Sequence, residues 1–501
     1  MGLDAAHDNS DRPYDDVITQ IIEYAYDFTI DTSVAWDRAK LALLDAIGSA
    51  FESIHCSREC ARMIEPLFPE DGRAPAGFKL PGTSYQVDIL KGAFNLGSMI
   101  RYLDHNDAFP GAEWGHPSDN IGAILAAADC ISRSAAASGP GGKVLTMGHV
   151  LAALIKAYEI QGCFQIKNAF NKVGLDHVIL VKVASTAMVS WLLGLSKEQA
   201  KAAVSHAWMD GHPLRVYRQA PNAGPRKGWA GGDACMRAVH LALLVKAGQP
   251  GAPTALTTPK WGFYDVLFKD VAFDLPRPFS TWVIENVIFK VNTAEGHGMT
   301  AVEAGLRISK AMKQRGLTPK DIASIRVRTT EAAMIIIDKH GPLYNAADRD
   351  HCLKYMLAVV LCKGDMIETE DYQDASPWAQ DPEIERLREK TTMVEDTQFT
   401  RDYHDPEIRS ISNAIQVQLM DGTLLDEVTV KYPQGHVLHP ETPGLVQAKA
   451  KRNLALKFHT DKAENLVRLV NGKDFDAMPV NEFVDMLALK LIWSRVHDSS
   501  D

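Results

Sequence analysis

The stretch from Arg101 to Asn120 holds the densest set of chemically capable side chains in this 501-residue sequence. It reads Arg101-Tyr102-Leu103-Asp104-His105-Asn106-Asp107 and then Glu113-Trp114-Gly115-His116-Pro117-Ser118-Asp119-Asn120. Two histidines and several carboxylates set between two helical runs are the material of general acid–base catalysis, and loops between rigid helices are where such groups are held. Ser118 or Asp119 is accounted for as a cap of the following helix. Asp104 and His116 have no such structural duty and are read as functional.

Three further segments carry chemistry. Asp210-Gly211-His212 leads into Arg215, Arg218, Arg226 and Lys227, four cations broken up by Pro221, Asn222, Gly224 and Pro225. A basic loop of this kind suits an anionic ligand, because the guanidinium fork matches a carboxylate at two points. Read by itself, it is also a solvated run of charge. His177, in Gly174-Leu175-Asp176-His177, stands at the mouth of a long apolar helix, where a capping or core histidine is the simpler reading. Lys290-Val291-Asn292-Thr293-Ala294-Glu295-Gly296-His297 follows an expected strand at an expected domain junction, where clefts form; alone it supports a structural and a functional reading equally.

The elements that must position these residues are mostly helices. Val17, Ile18, Ile21, Ile22, Ala25 and Phe28 recur at helical spacing, and Ala35, Ala39, Ala42, Leu43, Ala46 and Ile47 form the apolar face of a helix capped by Thr32 or Ser33. Further helices are expected over about 87–103, 119–133, 146–163, 178–194, 197–208 and 232–247, with Ser196 and Gln199 as a capping box. Their Ala and Gly content permits close helix–helix approach. No convincing strand precedes residue 280. Beyond it, Trp282–Val291 reads as an extended strand, Met299–Arg315 as a helix, and Ser324–Thr329 as a strand. Asn413–Leu419 and Leu425–Val430 form a hairpin through Asp421-Gly422. The expected fold is mainly α with a smaller α/β domain: helices over 1–280, an α/β domain over 281–435, and a helical segment over 436–501 that docks back.

Composition narrows the function. Hydrophobic residues at 46% and charged residues at 23% are ordinary for a globular protein. A net charge of -10 without a run of lysine or arginine argues against nucleic-acid and anionic-membrane partners. Seven irregularly spaced cysteines, with Cys130 and Cys163 in apolar helical runs, read as reduced thiols. The acid-rich start from Met1 to Asp16 is the reverse of a mitochondrial leader, and Ser499-Ser500-Asp501 is not a peroxisomal signal. No uncharged apolar run approaches the roughly 18 residues of a membrane span, so the cytoplasm is the expected location. No GxGxxG after a strand, P-loop or GxSxG elbow occurs. Cys56 and Cys60 have no second pair for zinc, and the cysteines do not supply an iron–sulfur ligand set. No cofactor is expected, and the chemistry falls to His, Asp, Lys and Arg side chains.

These same segments resemble one family. Glu113 to Asn120, Glu159-Ile160-Gln161-Gly162, Val173 to Val178, Trp229-Ala230-Gly231-Gly232-Asp233-Ala234 and Trp261 to Val266 look like 2-methylcitrate dehydratases of the MmgE/PrpD family. So do Asp348-Arg349-Asp350-His351-Cys352 and Tyr403-His404-Asp405-Pro406, and the likeness runs from about residue 15 to 485. The resemblance implies a large all-helical domain and an α/β lid domain, a homodimer, and a metal-free site between the domains for a small polycarboxylate. It implicates Asp104, His116 and His177 in catalysis. It also implicates Arg226, Lys227, Lys290 and Glu295 in holding substrate, and His297 and His105 are expected to join them.

Two departures from the family pattern bear on substrate. His105 stands where family members usually carry Phe, and Gly296 replaces a second bulky Phe. Loss of that aromatic group is expected to open space for a longer alkyl tail, each buried CH2 contributing roughly 0.8 kcal/mol. With the acidic N-terminus, this resembles the alkylcitrate dehydratases of fungal polyketide pathways leading to maleic anhydrides. The alternatives are a housekeeping 2-methylcitrate dehydratase of propionate catabolism, a decarboxylase of a cis-aconitate-type acid, and a non-catalytic paralogue.

Overall fold

The computed structural model describes residues 12–137, 144–218, 222, 224–405 and 408–489. The acidic start up to residue 11, Pro221, Pro406 and the chain beyond 489 lie outside the described residues. The protein is mainly α with a smaller α/β part, built around two large apolar cores.

The larger core is helical. Its helices are Asp16–Asp27, Ser33–Cys56, Ile89–Arg101, Ile121–Ala137, Met147–Lys167, Val178–Leu192, Lys197–Met209 and Arg226–Lys246. The Val178–Leu192 helix is buried almost all round, which is why its sequence is a continuous apolar run. Three helices meet at glycines: a Cβ on Gly97 would sit 2.9 Å from Gly232 Cα, and one on Gly122 would sit 2.6 Å from Gly97 Cα. That backbone contact locks together the helix ending at Arg101 and the helix beginning at Arg226. Ser196 and Gln199 form the expected capping box.

The smaller core surrounds a four-stranded sheet ordered Thr391–Glu395, Ile322–Thr329, Asn413–Leu419, Val428–Val430. The first pair is parallel and the others antiparallel. Helices Met299–Gln314 and Leu353–Lys363 share its apolar core. The Asp421-Gly422 turn is present, with Gly422 at φ +88°. The returning strand is shorter than expected, its ladder confined to Val428–Val430.

The chain then returns to the helical core. Helices Thr442–Leu454, Thr460–Val470 and Val480–Leu487 join the first apolar core, and Gly48 would place a Cβ 3.2 Å from Ala450 Cα.

Two expectations are corrected. Before residue 280 there is a small antiparallel pair, Phe78–Lys79 with Gln86–Val87, too short to show as alternation. The expected strand Trp282–Val291 is instead one helical turn, Trp282–Glu285, followed by extended chain. The cause is long-range. The buried Glu159 carboxylate accepts from Ser280 N at 2.9 Å and Val283 N at 2.7 Å, capping a turn whose own residues give no helix signal. Past the turn, Ile288 N and Ala108 O are 2.8 Å apart, as are Ala108 N and Ile288 O. That bridge sets Lys290 against the loop that carries Asp104.

Candidate active site

A cavity of about 460 Å³ opens between the two parts of the molecule. Cys56, Tyr102 to His105, Pro225 and Lys227 line it from the helical side; Thr293 to Glu295, Ala346, Ala347, Asp350, His351, Thr369 and Tyr372 line it from the other. Lys227 comes from the first turn of the Arg226–Lys246 helix, and the Asp104 loop follows the last turn of Ile89–Arg101. The glycine crossing therefore brings both to one wall.

Asp104 adopts a left-handed backbone, φ +61°, an uncommon conformation for a residue with a side chain. Its Oδ1 lies 2.6 Å from Arg101 Nη1, 2.5 Å from Lys290 Nζ and 3.8 Å from His116 Nε2. Lys290 Nζ also donates to the Asp104 carbonyl at 2.9 Å. Burial would raise the Asp104 pKa, but Arg101 and then Lys290 outweigh it and hold the carboxyl well below the usual range.

His116 stands directly behind Asp104. Its Nδ1 is 2.7 Å from the Asp107 carbonyl oxygen, which can only accept, so Nδ1 carries the hydrogen. Its Nε2 then accepts from Arg101 Nη2 at 2.9 Å. Burial and the Arg101 charge push its pKa well below that of free histidine, so the ring is neutral near pH 7. His177 lies 5.6 Å from His116, ring centre to ring centre, with neither ring nitrogen hydrogen-bonded. It too is held neutral, by burial and the nearby Arg218 and Arg215. Arg218 grips Asp176 at 2.5 and 3.1 Å, and Arg215 reaches Glu113 at 3.1 Å.

The other expected residues fall in three places. Lys227 faces the cavity, 3.6 Å from Asp350. Glu295 lines it too and takes hydrogen bonds from His297 N at 2.8 Å and His297 Nδ1 at 3.0 Å; burial opposes ionisation, but His297 brings its pKa down to about 2. His297 is buried behind it against Trp114, 4.8 Å between ring centres. Arg226 is not at the cavity wall. Its guanidinium lies over Trp229 and Tyr217, 4.2 and 5.1 Å from the ring centres. The expectation that Gly296 opens space is overturned: a Cβ there would be 2.9 Å from the Trp114 ring, which already fills the position.

Sequence reasoning missed several groups. Asp350 and His351 both line the cavity and hydrogen-bond each other through Oδ1 and Nδ1; the motif containing them was visible, its chemistry was not. Lys449, from the C-terminal segment, is buried and donates to Asp45 Oδ1 at 2.7 Å, the His105 carbonyl at 2.6 Å and the Lys290 carbonyl at 2.7 Å. No local pattern marks it. Glu52, inside an apolar helix, accepts from Thr369 Oγ1 at 2.8 Å and Asn453 Nδ2 at 3.0 Å, and lies 3.1 Å from His105 Nδ1.

The arrangement can receive an acid with several carboxylates. The Lys227 ammonium group rests on Asp350 and that of Lys290 on Asp104, and neutral His116 adjoins the second pair. Among the described residues, no helix is long and apolar enough to cross a membrane.

Comparison with known proteins identifies the family. The MmgE/PrpD N-terminal domain model matches residues 19–276 and the MmgE/PrpD C-terminal domain model matches residues 293–473. A 2-methylcitrate dehydratase-like protein of Aspergillus oryzae is 65% identical, covering 97% of this chain and 98% of its own length. An alkylcitrate dehydratase of a fungal species is 51% identical, covering 95% and 94%. The 2-methylcitrate dehydratase of Escherichia coli K12 is 48% identical, covering 97% and 100%.

Proposed function

The chain belongs to the MmgE/PrpD family and is a dehydratase of citrate-type acids; on that premise we propose that its substrate is a 2-alkylcitrate, converted to the alkylaconitate by side chains without a metal ion, in a polyketide route to a maleic anhydride. The observation that carries this reading is Lys227 at the wall of one interdomain cavity, with Asp104 on the same wall backed by the buried Lys290 ammonium group and neutral His116. The alkylcitrate dehydratase among the relatives supports the longer substrate. So do Leu103, Pro225, Ala294, Ala346 and Ala347 in the cavity wall, which give an alkyl tail apolar surface to cover.

Removing water means taking a proton from a carbon beside a carboxylate and expelling a tertiary hydroxyl. Negative charge grows on that carboxylate as the proton leaves. Lys290 and Lys227 exchange their carboxylate partners for those of the substrate and meet this charge with fixed cations. His116, neutral, accepts the proton at Nε2 once Arg101 turns to a substrate carboxylate, and Asp104 shares the proton work. His177 supports the His116 ring from behind.

The test is incubation of purified protein with 2-methylcitrate and a long-chain 2-alkylcitrate side by side, following alkene absorbance and product mass. Greater kcat/KM for the long chain with loss of water is expected. Preference for 2-methylcitrate would point to the propionate enzyme, and loss of CO2 would make the chain a decarboxylase. His116→Gln is expected to lower kcat by at least about 100-fold with the melting temperature kept; turnover at the wild-type rate would remove His116 from the mechanism.

A further inference from the structure

Dehydration needs a proton at two places: one leaves carbon, and one must reach the departing oxygen, because hydroxide is a poor leaving group. His116 provides for the first only. His177 is not part of the cavity wall, and neither it nor His116 is charged near neutral pH.

His351 stands on the α/β side of the same cavity. It links the turn Ala346–Arg349 to the helix Leu353–Lys363. The link is pinned, since buried Arg349 donates through Nε to the Tyr372 carbonyl at 2.6 Å and Asn345 Oδ1 accepts from Asp348 N at 2.9 Å. The ring is tied at one nitrogen only. Its Nδ1 donates to Asp350 Oδ1, a carboxylate oxygen that can only accept. Its Nε2 has no hydrogen-bond partner among the described residues and is open rather than sealed in, with 26% of the side chain exposed. Because His351 is a wall residue, that opening belongs to the cavity.

Asp350 is ionised. Burial opposes its charge, but Lys227 and then His351 hold the carboxyl below its usual range. Its Oδ2 faces Lys227 Nζ at 3.6 Å while Oδ1 holds the ring. Burial also opposes ionisation of neighbouring Glu295, and His297 and then His351 help bring it down to about 2. The other titratable groups that share the cavity with the ring are Glu59 and Asp104 from the helical side, and Tyr372 and Asp374 from the segment that Arg349 grips. A histidine fixed by a carboxylate at one nitrogen, with the other open to a cavity, has the plan of a proton donor whose carboxylate stabilises the imidazolium.

We propose that His351 is the general acid that protonates the departing hydroxyl, and that Asp350 is its positioning residue; this rests on dehydration being the reaction. His351 gives its Nε2 proton to the leaving oxygen as the C–O bond breaks, and water departs with that bond's electron pair. The electron pair of the broken C–H bond becomes the second bond of the alkene, and the proton it leaves is held on His116. One proton lost from His116 to solvent and one gained by His351 restore the starting state. The base belongs to the helical core and the acid to the α/β core, so neither part of the molecule carries the elimination alone.

The experiment compares pH profiles of kcat/KM for wild type, His351→Gln and Asp350→Asn on an alkylcitrate that the wild type turns over. An acid must be protonated to work, so it sets the alkaline limb of the profile. His351→Gln is expected to lose at least about 100-fold in kcat, with KM changed less than about threefold, and to lose that limb. Asp350→Asn should move the limb to lower pH, since an imidazolium without its carboxylate gives up its proton more readily; a merely structural role would lower activity without moving it. The same acid with chloride in place of the hydroxyl separates proton donation from binding, because chloride leaves without a proton. On it, His351→Gln should stay within about threefold of wild type. An unmoved limb in both variants, or equal losses on the hydroxy and chloro acids, overturns the assignment. Should His351→Gln fail to fold, the Asp350→Asn limb decides. Wild-type inactivity on every alkylcitrate would sink the dehydratase reading instead, a distinct outcome.

Discussion

Asp104 and His116 are legible in the sequence because polar residues crowd where apolar periodicity breaks; Lys290 stands out only through the family resemblance, and the structure joins all three within 3.8 Å. Glu52 is not legible, because one acidic position inside a long apolar helix gives no hint that Thr369 and Asn453 will come to meet it. The same distance in sequence hid Trp114 from Gly296. Gly296→Ala is therefore expected to push the Trp114 ring off its seat and to destabilise by about 1–3 kcal/mol, measurable by thermal melting; an unchanged melting temperature would show that the ring yields freely. Glu113 makes a prediction about pH. Burial pushes its carboxyl up to about 7, beyond what Arg215 restores. A raised acid binds more protons folded than unfolded between about pH 4.5 and 7, so its contribution to stability falls as pH rises through that window, by at most about 3 kcal/mol. The melting temperature of Glu113→Gln relative to wild type should climb from pH 4.5 to 7 and level off above 8. A difference flat across that range would show an ordinary Glu113.

At the scale of elements, helices were legible and caps nearly so, because the 3.6-residue repeat and the Ser196–Gln199 box are local. The turn at Trp282–Glu285 was not, since its cap is Glu159 from a distant helix. The strand Thr391–Glu395 was passed over because it is short and only Thr391 and Met393 are buried. The Thr442–Leu454 helix shows why such elements matter, since Lys449 ties it to the Ser33–Cys56 helix, to the Asp104 loop and to the Lys290 segment at once. Lys449→Met leaves Asp45 buried without its cation and is expected to cost about 3–5 kcal/mol. Asp45→Asn in the same chain should recover part of that loss. Equal melting temperatures for single and double variants would mean that the carbonyl contacts, not the charge pair, dominate.

For the whole molecule, the mainly α architecture with a smaller α/β part followed from the change of period near residue 280. A cleft at the domain junction was expected, and the resemblance implied a site there; the residues of its wall did not follow, because no sequence feature states how two cores face each other. With cations and carboxylates drawn from both sides of the cleft, a bound tricarboxylate ties the two parts together. A non-reactive tricarboxylate at about a hundred times its Kd is expected to raise stability by about 2.7 kcal/mol, seen as a higher melting temperature. The same rise in a Lys227→Met, Lys290→Met double variant would place the ligand elsewhere. Lys449 also orders events during synthesis. A ribosome makes the Asp104 loop, Lys227, Lys290 and the whole sheet before it makes the ammonium group that holds the His105 and Lys290 carbonyls. Until the stretch around residue 449 has left the exit tunnel, the His105 and Lys290 carbonyls lack the donor that joins them.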